Sequence, residues 1–200
     1  MTVYRSIREL AAAEPPGRAY CIEWRRGRTS LVVMAIHGGG IEPGTTEIAA
    51  AAAGRMHGFY SFTGIKPGGN HTLHLSSRLF DEPIGVRAAA SAETVATVHG
   101  CRGQEAAVYL GGRDETLKKT VKAALQGAGF IVSECERFPG ISVQNICNRG
   151  RSGRGIQLEL SRGLRSSFFV DAAMHDRSRR RAPFYRFVDA LKAAFASSVR

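Results

Sequence analysis

Two histidines and two glutamates are placed where a metal-assisted hydrolysis could be run. His37 ends an apolar run and is followed by three glycines and then by Glu42, in Ala35-Ile36-His37-Gly38-Gly39-Gly40-Ile41-Glu42-Pro43-Gly44-Thr45. His99 ends a second apolar run, Thr94–Val98, and is again followed by glycine. Imidazole nitrogens and a carboxylate oxygen are the ligands of catalytic zinc sites, which keep one coordination position open for water or substrate. His37, Glu42 and His99 are therefore the candidate metal ligands, for one Zn²⁺ per chain. Glu159, from yet another strand, is the candidate general base, because hydrolysis of an amide at neutral pH needs a carboxylate to take a proton from water.

Around this set stand residues suited to holding an anionic substrate. Asn148-Arg149 could grip a carboxylate, since the guanidinium fork is bidentate. Arg102, three residues after His99, either orients substrate or pairs with Glu105. His74, in a Leu-His-Leu setting, is either a substrate contact or a satisfied strand histidine, and Glu159 could instead pair with Arg162 or Arg165. His57, His71 and His175 read as surface side chains. A phosphate-cradling loop would want Gly-Lys-Ser/Thr after the glycines, whereas this loop offers Gly40-Ile41-Glu42, and the acidic residue repels phosphate.

The elements that must position these groups alternate between strands and helices. Leu31–Ile36 is apolar on both faces, as a strand covered on two sides must be. Thr45 and Thr46 are candidate caps for an alanine-rich helix running to Ala53, and Gly58–Phe62 is an aromatic strand. Asp81 is the expected cap of a helix with Pro83 near its start. Thr94–Val98, Ala107–Gly111 and Gly129–Cys135 read as further strands, and Asp114–Gln126 as a helix. Ile156, Leu158 and Leu160 alternate with Gln157 and Glu159, so that the latter two share one face. Residues 138–155 read as a loop, and 183–199 as an amphipathic helix. The expected fold is α/β: a single domain over residues 19–200 with a mixed but mostly parallel sheet and helices on both faces, preceded by an extension over residues 1–18. In such a sheet the strand ends on one edge converge, and His37 and His99 would meet there.

The 200 residues suffice for one core, and a net charge of +11 creates a field that retains polyanions. Nucleic acid is one candidate, but no helix-turn-helix or paired basic and aromatic strands accompany the charge. Cysteines 21, 101, 135 and 147 lack Cys-x-x-Cys spacing and read as buried thiols in a reducing compartment. No secretory h-region or bilayer-length apolar run is found, so a cytoplasmic protein, or one released by host lysis, is expected, with no membrane partner.

Four segments together resemble the phage-type poly-γ-glutamate hydrolase family: Ile36–Thr45; Phe62-Thr63-Gly64 with Asn70; Leu73-His74-Leu75-Ser76-Ser77 leading to Phe80-Asp81-Glu82-Pro83; and Val98-His99-Gly100-Cys101. The resemblance runs from about residue 31 to residue 160. It implies a zinc-carboxypeptidase-like core, a His-Glu-His zinc site falling on His37, Glu42 and His99, a general base at Glu159 and a carboxylate-binding pair at Asn148-Arg149. It also implies cleavage of γ-glutamyl amide bonds, with the polyanionic polymer, not nucleic acid, as the partner of the positive field; a monomer is expected. Glu42 follows the first histidine by five residues, not the three usual in carboxypeptidases, which separates this pattern from the peptidases proper. A zinc peptidase or amidase acting on another anionic amide is the alternative reading, and a basic nucleic-acid-binding accessory protein without catalysis is a further one.

Overall fold

The structure is a computed structural model and describes residues 3–198. Seven strands form one sheet in the order β1-β3-β2-β4-β7-β5-β6. Chain order gives α1 (Ile7–Ala13), β1 (Tyr20–Arg25), β2 (Leu31–Gly39), α2 (Thr45–Ala53), β3 (Gly58–Gly64), α3 (Pro83–Ser91), β4 (Thr94–Gly100), β5 (Ala107–Gly112), α4 (Glu115–Gly127), β6 (Ile131–Glu134), β7 (Ile156–Leu160), α5 (Arg162–Ser167) and α6 (Ala182–Ser198). The pairs β2–β3, β2–β4, β4–β7 and β5–β6 are parallel, while β1–β3 and β5–β7 are antiparallel. The mostly parallel expectation is met. The short helix α5 had no periodicity long enough to announce it. The predicted helix end Val199, and Met1 and Thr2 of the extension, lie outside the described residues.

β2 is buried along its whole length because both faces of the sheet are covered. Leu31, Val33 and Ala35 pack with α2, α4 and α6 through Ile48, Val121, Phe187 and Leu191. Val32, Met34 and Ile36 pack on the other side with Tyr60, Phe62, Phe80 and Ala88. Leu10 of α1 is buried in that second layer, and Asp81 Oδ1 accepts from the Ile7 N–H at 2.6 Å. The segment before β1 is thus fastened to the sheet.

Two expected caps differ in the structure. Pro83 opens α3, so Glu82, not Asp81, is its N-cap, accepting from the N–H groups of Ile84 and Gly85. Gly44 caps α2 with a left-handed φ of 96°, which a Cβ would strain. Thr45 and Thr46 instead bind backward: Thr45 Oγ1 donates to the Glu42 carbonyl at 2.9 Å, and Thr46 Oγ1 accepts from the Gly39 N–H at 3.1 Å. The hydroxyls that could have capped the helix hold the glycine loop.

Candidate metal centre

The C-terminal ends of β2, β4 and β7 lie side by side, and the first strand crossover after β2 goes to β3 on one side and the next to β4 on the other. This is the edge and the reversal of strand order at which open α/β sheets collect ligands. A register shift decides which side chains reach it. Ala35 pairs with Ser61 and Gly38 with Thr63, so Ile36 and His37 together oppose one residue, Phe62. Without this bulge His37 would follow Leu31, Val33 and Ala35 toward the α2 layer. With it, His37 turns to the opposite face, where its ring meets Leu75 and His74. That is also the face of His99 and Glu159, which are direct register partners on β4 and β7 and alternate with the inward Val98, Leu158 and Leu160.

His37 and His99 are buried, and Glu42 lies with them. His37 Nδ1 is 3.1 Å from Glu42 Oε1 and 3.1 Å from His99 Nδ1, and His99 Nδ1 is 3.7 Å from Glu42 Oε2. His37 Nε2 lies 2.6 Å from the Leu75 carbonyl, which can only accept, so the proton of a neutral His37 sits on Nε2. Burial, outweighing the Glu42 charge, holds the His37 pKa below the ordinary imidazole value. Glu42 is held well below the carboxylate range: burial opposes ionisation, but His37, His74 and His99 overcome it. The Gly100 N–H also donates to Glu42 Oε2 at 2.8 Å.

A neutral His37 therefore points a lone pair at an ionised carboxylate 3.1 Å away. Two acceptors at that distance repel unless a cation lies between them. With the Nδ1 of His99 aimed at the same spot, the donor set is two imidazoles and one carboxylate, all within 4.8 Å of one another, and it fits a divalent metal of the zinc type. The Leu75 carbonyl supplies the outer hydrogen bond that fixes the tautomer and aim of a ligating histidine.

The other sequence candidates separate. His74 joins the centre: its ring stacks on His37 with centroids 3.8 Å apart, and its Nε2 is 3.6 Å from Glu42 Oε1. Glu159 lies beside His99, with its pKa raised to about 7 by burial and by the Glu42 charge. Its Oε1 accepts from Gln157 Nε2 at 3.1 Å, and no ion pair joins it to Arg162 or Arg165 among the described residues. His99 is pushed upward: burial disfavours its charge, but Glu42 and Glu159 outweigh this. Its Nε2 is buried without a hydrogen-bond partner among the described residues.

Arg102 stands exposed near this edge, unpaired among the described residues. Asn148 and Arg149 are committed elsewhere. Asn148 Nδ2 donates to the carbonyls of Gly140 and Ser142, and its Oδ1 accepts from the Gly155 N–H. Arg149 donates to the carbonyls of Gln144, Phe80 and Arg78. The pair ties the 140–155 loop to the segment before α3. His57, expected at the surface, is buried: Thr29 Oγ1 lies 2.7 Å from its Nδ1 and its ring meets Phe195, because the turn after α2 folds under α6. His71 and His175 are exposed as expected. Of the four thiols, which are free, Cys135 and Cys147 are buried, Cys101 is half-buried and Cys21 is exposed.

Sequence reasoning named Arg165 only as a possible partner of Glu159 and missed its role. Arg165 of α5 is buried and donates through Nη1 to the Pro43 carbonyl at 2.6 Å and through Nη2 to the Cys101 carbonyl at 3.1 Å. Its guanidinium lies so close to Gly100 that a Cβ there would be 2.6 Å from Cζ. One side chain thus fastens the loop after Glu42 to the loop after His99. An arginine five residues past the end of a buried strand was the available signal.

The fold and the inward-facing donors define an α/β protein with a metal-type centre at the switch point of its sheet. The chain belongs to the poly-γ-glutamate hydrolase family, whose description it matches over residues 4–190. It is similar to YndL of Bacillus subtilis (strain 168), with 33% identity covering 94% of this chain and 76% of YndL. Its structure superposes on that of a bacteriophage poly-γ-glutamate hydrolase with a TM-score of 0.96 at 32% identity, covering 99% of this chain and 98% of the other. The zinc-free form of YndL gives a TM-score of 0.94 at 32% identity, with 99% of each chain covered.

Proposed function

We propose that this protein is a zinc-dependent hydrolase of the γ-glutamyl amide bonds of poly-γ-glutamate. The observation that carries the proposal is the convergence of His37 Nδ1, Glu42 and His99 Nδ1 at the edge of the sheet in a member of this family, with an acceptor-to-acceptor approach that calls for a cation. A zinc-free form of YndL implies that YndL itself takes zinc, which supports the choice of metal. His37, Glu42 and His99 would hold the ion. Zinc, when bound, supplies a Lewis acid that polarises the scissile carbonyl and makes water acidic enough to attack near neutral pH.

The chain's own groups supply the rest. The Leu75 carbonyl keeps the His37 proton on Nε2 and its Nδ1 lone pair turned inward. The Gly100 N–H steadies the Glu42 carboxylate. Glu159, whose pKa of about 7 lies near the working pH expected of an acid-base group, accepts a proton from the attacking water. It then returns that proton to the departing amine nitrogen, and Gln157 keeps its carboxylate oriented throughout. Arg165 acts through the loops it joins, holding Glu42 and His99 at one separation. His74, partly exposed beside Glu42, and Arg102 are the groups placed to meet substrate carboxylates. Likeness to a bacteriophage enzyme fits a polymer-clearing role, with release at host lysis.

Elemental analysis with a depolymerisation assay tests the reading. Purified protein should carry about one zinc per chain and shorten poly-γ-glutamate, and His37→Ala and His99→Ala should lose both properties. Zinc-loaded protein that leaves poly-γ-glutamate intact but cleaves ordinary C-terminal peptides would transfer the site to a peptidase.

A further inference from the structure

The opposite edge of the sheet carries a second feature that the metal centre does not explain. The turn Arg26-Gly27-Arg28 joins β1 to β2, and next to it is a cavity of about 260 Å³. Trp24, Arg26, Arg28, Ser30, Ser91 and Arg151 contribute to its walls. Arg26 and Arg28 are exposed and make no side-chain hydrogen bond or ion pair among the described residues. Arg151 is held at the rim by Glu93 at 3.2 Å and by the Ser91 carbonyl at 3.3 Å.

The turn is fixed in place. A Cβ on Gly27 would lie 2.2 Å from the Gly58 nitrogen and 2.2 Å from the His57 carbonyl carbon, so the chain passes directly against the start of β3. The Arg28 N–H donates to the Met56 carbonyl at 2.7 Å. Two unpaired guanidinium groups are thereby presented from a rigid backbone, which lowers the ordering cost of binding an anion. Trp24, the chain's single tryptophan, is partly exposed in the same wall and offers an apolar face to methylene groups. The cavity lies roughly 20 Å from His37 along β2, at about 3.3 Å per residue.

We propose that this cavity is an anchoring subsite for carboxylates of the same poly-γ-glutamate chain, remote from the bond being cleaved. The inference rests on the proposed substrate. Spaced carboxylates joined by short methylene runs match unpaired arginines flanking an indole, and a polymer held at two places gains effective concentration at the second. The arrangement predicts a dependence on chain length, because an oligomer too short to span from one sheet edge to the other meets only one site.

The test uses the zinc-loaded full chain. Long poly-γ-glutamate, mixed rapidly and read before measurable turnover, should change Trp24 fluorescence saturably, and Arg26→Ser/Arg28→Ser should weaken that titration. The same variant should lose about tenfold or more in kcat/KM on long polymer and nothing on a short γ-glutamyl oligomer. Arg26→Lys/Arg28→Lys, which keeps the charge, should recover part of the loss. A flat fluorescence titration in the wild-type protein, or equal kinetics of wild type and variant on long polymer, overturns the proposal. Tighter binding of duplex DNA or polyphosphate than of poly-γ-glutamate also overturns it, by making the cavity a phosphate site. Saturable binding of poly-γ-glutamate without cleavage would leave the subsite standing and remove the proposed reaction.

Discussion

Two polar clusters stand out in this sequence, His37 with Glu42 and Asn148 with Arg149, and the structure treats them oppositely. Asn148 and Arg149 spend their polar atoms on main-chain partners, chiefly carbonyls, stitching one loop to another. His37 is buried and Glu42 nearly so, yet they turn acceptors toward each other and toward a third donor, His99. Buried polar groups in a folded protein are satisfied, so satisfaction marks scaffold, and a convergence that still needs a cation marks a site. Residue type alone does not separate the two.

The contrast can be broken by substitution. The largest effect is expected at Glu159→Gln, which should cut kcat by about 10²–10⁴-fold while zinc content, measured by elemental analysis, stays near one per chain. Full turnover in that variant would remove Glu159 from the chemistry. Arg149→Met should act as a scaffold lesion, lowering stability by about 1–3 kcal/mol in denaturant unfolding through the carbonyls it strands, with KM barely moved. A large rise in KM at unchanged stability would instead make Arg149 a substrate clamp.

The smallest expected effect is on the pH dependence of zinc affinity. Glu42 and Glu159 raise the pKa of His99, and a protonated imidazole cannot ligate. Zinc affinity should therefore fall as pH drops through the His99 titration. Removing the Glu159 charge lowers the His99 pKa, so in Glu159→Gln the fall should begin at a lower pH. Competition titrations with a chelator across pH would read the shift, and identical curves would show that Glu159 does not bias His99.

Much of the fold was legible because its signals are local. The unbroken apolar run of β2 announced a strand covered on both faces, and the alternation of Ile156, Leu158 and Leu160 with Gln157 and Glu159 placed Glu159 on the face it occupies. Asp114 marked the start of α4, and its side chain accepts from the Leu117 N–H. Helix α5 and the role of Arg165 were not legible, because six residues show no period and two of the three carbonyls that Arg165 binds lie 64 and 122 positions away. The Asp81 cap failed for a related reason: its partner, the Ile7 N–H, is 74 residues distant.

The sequence by itself determined the donor types, their delivery at glycine-followed strand ends and the α/β alternation, since these depend on side-chain chemistry and on periods of a few residues. Only the tertiary structure decided that His37 faces His99 at all. Strict alternation from Leu31 would have sent it to the other side of the sheet, and the extra residue opposite Phe62 reverses its direction. Such a bulge is set by how β2 packs against β3, and His74 and Arg165 reach the centre through contacts equally remote in the chain.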